Sequence, residues 1–228
     1  MHEGHRDRVK KRFRQEGLDH FSDIQALELL LFYGIPRVDT NPIAHALLDH
    51  FGSLSQVLEA SPEELMKVPG VGENAALLLT LIPQMGRFYM VDRSSRVTIL
   101  QTLEQCADFL VPHFFGRKVE TVFILCLDAK CKLLCCKELG EGGPNSTGVS
   151  IRKIVETAIG VNAATVVLAH NHPSGLAVPS AEDIQTTRRI AHALQAVEIT
   201  LADHIIVADG DYVSIAMSDV RFRDCLLI

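Results

Sequence analysis

Apolar positions along the chain follow two rhythms, and the change between them divides it. As far as Tyr89 they recur at helical spacing between helix-start and helix-stop residues. Gly4 to Arg14 predicts a helix whose Val9 and Phe13, four residues apart, share an inward face. Ser22 can cap Asp23 to Phe32, a strongly apolar helix through Ala26, Leu27, Leu29, Leu30 and Leu31 that ends at Gly34 and Pro36. Asn41-Pro42 opens a helix from Ile43 to Phe51, closed by Gly52. Ser61-Pro62-Glu63-Glu64 places a cap, a first-turn proline and acidic residues ahead of a short helix, Glu63 to Lys67. Val68-Pro69-Gly70-Val71-Gly72 then turns tightly into a helix from Glu73 to Tyr89.

Val91 to Arg96 is short, polar and non-periodic, which predicts an all-α domain over 1–92, a linker over 93–100 and a second domain over 101–228. Beyond it, helices alternate with strands. The pattern predicts a helix near Thr102 to Phe114, strands at Thr121 to Leu127 and Cys131 to Glu138, and a loop from Gly140 to Ser146. A helix around Ile151 to Ile159 follows, then the apolar run Ala164 to Ala169, read as a buried strand. Next come a helix from Ala181 to about Ala196, a strand near Ile199 and a hairpin from Ile205 to Ile215 turning at Asp209-Gly210. The second domain is therefore α/β.

Composition narrows the class. The 228 residues are 47% hydrophobic and 22% charged, which excludes wholesale disorder. A formal net charge of −6 argues against wrapping nucleic acid by bulk electrostatics. The basic helix Arg6 to Arg14 and the glycine hairpin nevertheless form a candidate phosphate-binding region. Against that stand Glu63, Glu64 and Glu73 beside the hairpin; the alternative is a hairpin that packs helices or contacts protein. No apolar run is long enough to span a membrane and the start is not a secretory leader, so the expected location is the cytoplasm. The six cysteines, Cys106, Cys126, Cys131, Cys135, Cys136 and Cys225, lack paired Cys-x-x-Cys spacing and are expected to be reduced thiols.

The candidate chemistry sits at Ala169-His170-Asn171-His172-Pro173-Ser174-Gly175 and the helix start after Ser180. Residues two apart on a strand face the same way, so His170 and His172 can aim at one point if extended geometry persists to His172. Asp183, in the first turn of the next helix, can supply a third ligand. Two histidines and a carboxylate leave a fourth position open, as hydrolytic zinc requires. Ser180 and Asp183 also have capping-box spacing, in which the acid only supports the helix start.

These residues resemble the JAMM motif of the JAB/MPN metalloprotease fold, and specifically the RadC group of bacterial proteins. The resemblance covers nearly the whole chain, through Gly4-His5-Arg6-Asp7-Arg8, Leu27-Glu28-Leu29-Leu30-Leu31, Pro69-Gly70-Val71-Gly72, the histidine motif and Asp203-His204-Ile205-Ile206. It implies an N-terminal helix-hairpin-helix domain and a C-terminal three-layer α/β domain, JAB/MPN-like and related to the cytidine-deaminase fold. It further implies one Zn2+ held by His170, His172 and Asp183 with a water position. Glu120, ahead of Thr121-Val122-Phe123, matches the glutamate that takes the water proton, with Glu138 and Glu156 as rivals. Ser180 matches the serine that donates to the oxyanion. Lys153 departs from the usual Arg-Glu pair at 152–153. The implied reaction is hydrolysis of an amide bond in a protein or peptide; the alternative is a DNA-repair accessory that contacts DNA through its N-terminal domain. His204 is expected either to orient a ligand or to be a hydrogen-bonded histidine at a strand edge.

Overall fold

The computed structural model describes residues 3–94, 99–142 and 149–218. By its contacts the chain forms two compact units, Met1–Gly86 and Arg87–Ile228. The first contains α1 (Glu3–Glu16), α2 (Asp23–Gly34), α3 (Asn41–Phe51), α4 (Leu54–Glu59), α5 (Pro62–Leu65) and the start of α6 (Glu73–Ser94). Serines set the starts: Ser22 with Gln25 and Ser61 with Glu64 close reciprocal capping boxes, and the Ser53 hydroxyl caps α4. Leu27, Leu31, Leu47, Val57, Leu65 and Leu79 form the core of this unit.

The opening helix packs differently from the expectation. Val9 is half-buried, but Phe13 is 41% exposed, and Arg6, Lys10 and Arg12 share the inward side with Val9. Arg6 donates to the carbonyls of Phe32, Ile35 and Val38 and lies over the Phe32 ring. Those carbonyls lie at and just beyond the α2 C-terminus, the negative end of that helix, where a guanidinium is favoured. Lys10 lies over the Tyr33 ring, and Arg12 lies over Phe21 while donating to the His20 carbonyl. At the hairpin, Gly70 has φ +90°, and a Cβ there would lie 2.8 Å from Ile43 Cδ1. Only glycine fits that conformation and that approach without strain.

α6 continues to Ser94, so Val91 to Ser94 are helical rather than linker. No glycine or proline interrupts Arg87 to Ser94, Arg93 suits the last turn, and the Ser94 hydroxyl bonds the Val91 carbonyl. Linker positions 95–98 lie outside the described residues, as does Cys225.

The second unit is built on a 5-stranded sheet of order β2-β1-β3-β4-β5. Its strands are β1 (Thr121–Leu127), β2 (Leu133–Glu141), β3 (Thr165–Asn171), β4 (Thr200–Ala208) and β5 (Asp211–Ser214). β3 and β4 are parallel; the other neighbours are antiparallel. Alternation splits the strands between two cores. Val122, Ile124, Val166, Leu168 and Ile206 pack with α8 (Ile151–Gly160) and α9 (Ala181–Gln195). Phe123, Leu125, Val167, Ile205 and Val207 pack with α7 (Leu103–Leu110) and the 3-10 turn Val111–Phe114. This is a three-layer helix–sheet–helix arrangement. α10 (Ile215–Ser218) follows β5.

Two expectations shift here. β2 runs through Gly140 to Glu141, and positions 143–148 of the expected loop lie outside the described residues. The strand near Ile199 and the first arm of the hairpin are one strand, β4. Asp203 and His204 lie within that strand; both are fully buried, and Asp203 Oδ1 accepts from the amides of His204 and Ala216. Among the described residues no helix is long and apolar enough to cross a membrane.

Candidate metal centre

β3 is central and buried over most of its length, and its last pairs face the start of β1. His170 stands opposite Val122 in that antiparallel pairing and opposite Ile206 on β4, on the α8/α9 face. Extended geometry persists past the strand end, because the His172 amide still donates to the Val207 carbonyl at 2.8 Å. Both imidazoles therefore point the same way, and their Nε2 atoms are 3.0 Å apart.

Asp183 arrives from the first turn of α9. Its Oδ1 is 3.3 Å from His170 Nε2 and its Oδ2 is 3.5 Å from His172 Nε2. Among the described residues, His170, His172 and Asp183 are the group whose metal-ligating atoms all lie within 4.8 Å of one another. The capping reading and the cluster reading hold together. Ser180 and Asp183 form a reciprocal capping box, in which the Ser180 amide and hydroxyl reach Asp183 Oδ2 at 2.8 and 2.6 Å. The same box that starts α9 orients the carboxylate. Burial pushes the Asp183 carboxyl up, but the His170 imidazole and the Ser180 hydroxyl and amide outweigh it and hold the group below the usual carboxylate range.

Each histidine has a partner behind it. His172 Nδ1 is 3.1 Å from the Leu176 carbonyl, an acceptor only, so Nδ1 donates there and Nε2 is the nitrogen turned to His170 and Asp183. His170 Nδ1 is 2.8 Å from His204 Nε2, and His204 Nδ1 is 2.6 Å from Thr187 Oγ1. His204 thus lies inside the unit behind a candidate ligand, not at a strand edge. A carboxylate and imidazole nitrogens converging on one buried point suit a borderline cation such as Zn2+, so the residues present fit that ion.

Glu120, half-buried, precedes β1, and its carbonyl accepts from the Gly142 amide at 2.7 Å. Two residues before Val122, it falls by alternation on the side of the sheet that carries His170. It is not part of the 4.8 Å cluster. Its rivals are engaged elsewhere. Glu138 pairs with Arg117 at 2.7 Å on the α7 side, opposite Phe123, and exposed Glu156 pairs with Arg152 at 2.7 Å. Lys153 donates to the Leu139 carbonyl, so it braces α8 against β2.

Sequence reasoning assigned no role to Asn171. Its Oδ1 accepts from the Thr121 amide at 2.8 Å and its Nδ2 donates to the Val119 carbonyl at 3.1 Å, gripping the backbone on both sides of Glu120. The missed signal was its position: a buried amide side chain between two candidate ligands needs polar partners.

Comparison with known proteins places these features in context. Residues 100–220 match the RadC-like JAB domain family, and residues 3–77 match the UPF0758 N-terminal family. A UPF0758 protein of Fusobacterium nucleatum is 33% identical over 93% of this chain and 94% of its own length. Another, from Paraburkholderia xenovorans, is 32% identical over 92% of this chain and 83% of its own.

Proposed function

The chain belongs to the family of RadC-like JAB domain proteins, and on that footing we propose that it is a zinc-dependent metallopeptidase or isopeptidase hydrolysing an amide bond in a protein or peptide. The observation that carries this reading is the convergence of His170 Nε2, His172 Nε2 and the Asp183 carboxylate beside the strand start that bears Glu120. When bound, a zinc ion would make the scissile carbonyl more electrophilic and lower the pKa of a water. Glu120 then serves as general base for that water and returns the proton to the leaving amine. Ser180 donates its hydroxyl to the developing oxyanion, which requires its bond to Asp183 Oδ2 to open. Asn171 holds the Glu120 backbone in place throughout.

The DNA-accessory reading draws less support. Arg6, Lys10 and Arg12 are engaged within the first unit, which leaves exposed Arg8, Lys11 and Arg14 as the basic surface of α1. The deciding experiment combines metal analysis with turnover of peptide and isopeptide substrates. Wild type and Glu120→Gln should both bind one zinc, with turnover lost in the variant; His172→Ala should lose the metal. Full zinc retention in His172→Ala would refute the assignment.

A further inference from the structure

Three short contacts run in series behind the candidate centre, and all of their side chains are buried. Thr187 Oγ1 lies 2.6 Å from the Asp183 carbonyl and 2.6 Å from His204 Nδ1, while His204 Nε2 lies 2.8 Å from His170 Nδ1. Thr187 and His204 are 0% exposed and His170 is 1% exposed, so no contact is shared with bulk water. Each contact of this length holds one proton. The Asp183 carbonyl has none to give, so the first proton is that of the Thr187 hydroxyl. That hydroxyl has no other, so the proton in the second contact belongs to His204 Nδ1. His204 is wholly buried and its two ring nitrogens meet an imidazole and a hydroxyl rather than a carboxylate, so the uncharged imidazole is the form that fits there. A neutral imidazole has one N–H, which leaves His204 Nε2 bare, and the third proton must come from His170 Nδ1. His170 Nε2 is then the nitrogen that faces His172 Nε2 and Asp183 Oδ1, where it can ligate a cation.

We propose that His204 and Thr187 are positioning residues that lock His170 as its Nδ1–H tautomer and so present its Nε2 lone pair to the centre. The series starts at the backbone carbonyl of Asp183 and ends beside the carboxylate of the same residue, so one candidate ligand's main chain sets the tautomer of another. The reverse proton order would leave two lone pairs facing each other 2.6 Å apart between Thr187 and Asp183. The metal-binding consequence rests on the zinc reading above; the proton order does not.

The test therefore has two arms. In the metal-free protein at mildly alkaline pH, nitrogen-15 NMR correlations of the histidine rings should show protons on Nδ1 of both His204 and His170. A proton on Nε2 of His204 overturns the proposal. In the second arm, zinc affinity is measured by competition with a chelator. His204→Ala and Thr187→Val should each weaken binding by roughly 10–100-fold, the usual cost of removing a group that orients a metal ligand. His204→Gln should restore most of it, because its amide oxygen can accept from His170 while its NH2 donates to Thr187. Unchanged affinity in Thr187→Val or in a folded His204→Ala, or no rescue by His204→Gln, counts against the relay. If the tautomers are as expected but wild type binds no zinc, the metallopeptidase reading fails and the relay stands.

Discussion

Asn171 sits between two candidate ligands and acts instead on the backbone around Glu120. Its two bonds to Thr121 and Val119 replace ladder bonds that the end of β3 cannot otherwise make to the start of β1, and they bracket Glu120. Asn171→Ala should leave zinc stoichiometry unchanged and lower stability by about 1–3 kcal/mol, the cost of leaving buried partners unsatisfied. Turnover should fall more than that loss explains, because the general base is no longer held; a variant with wild-type kcat would remove Asn171 from the machinery. At this scale the sequence was partly legible. His170 and His172 could be paired because strand alternation is a local rule, and Asp183 joined them because helix-start residues are readable. Glu120 had no such local signal. On spacing alone it is a charge at a strand start, and only family resemblance singled it out. Asn171, Thr187 and His204 exert their effects across 17 to 52 residues of sequence, and the pairing that brings them together belongs to the sheet.

Among the elements, the serine caps of α2, α5 and α9 and the glycine stop of α3 are legible in the sequence, whereas the Ser53 cap of α4 is not. α4 was missed because six residues with one buried side chain, Val57, show no periodicity. The end of α6 runs into the linker that the polar stretch Val91 to Arg96 predicts, because polarity on a solvated helix stops nothing. β4 joins the strand near Ile199 to the hairpin arm through two buried polar residues: Asp203 Oδ1 accepts from two amides and His204 bonds His170 and Thr187, while Asp203 Oδ2 is without a hydrogen-bond partner. The hairpin before α6 offers a quantitative check. Gly70→Ala places a Cβ 2.8 Å from Ile43 Cδ1 in a residue with φ +90°. Backbone strain of about 1–3 kcal/mol is expected from the conformation alone, and the clash adds to it unless the Ile43 tip moves. Denaturant unfolding of Gly70→Ala, Ile43→Val and the double variant separates the two terms. Recovery in the double variant measures the clash, and the residue of the loss is strain. A Gly70→Ala protein as stable as wild type would mean the turn is not held in that conformation.

The whole molecule consists of two units with separate hydrophobic cores, one built by α2 to α6 and the other by the sheet and its flanking helices. All of the candidate centre lies in the second. A ligand that binds only a folded site stabilises the unit that contains it by RT ln(1 + [L]/Kd), about 2.7 kcal/mol at one hundred times Kd. Zinc is therefore expected to act on one unit alone. Calorimetry should resolve two unfolding transitions in the metal-free protein, because each unit has a hydrophobic core of its own and multi-unit chains depart from two-state unfolding. Adding zinc should raise the midpoint of the transition carried by residues 87–228 and leave the other in place. The shift should disappear in His172→Ala, while Gly70→Ala should lower only the transition that zinc leaves alone. The two variants thus label the two transitions independently. A single transition moving as one with zinc would show that the units unfold together, and the centre would then stabilise the entire chain.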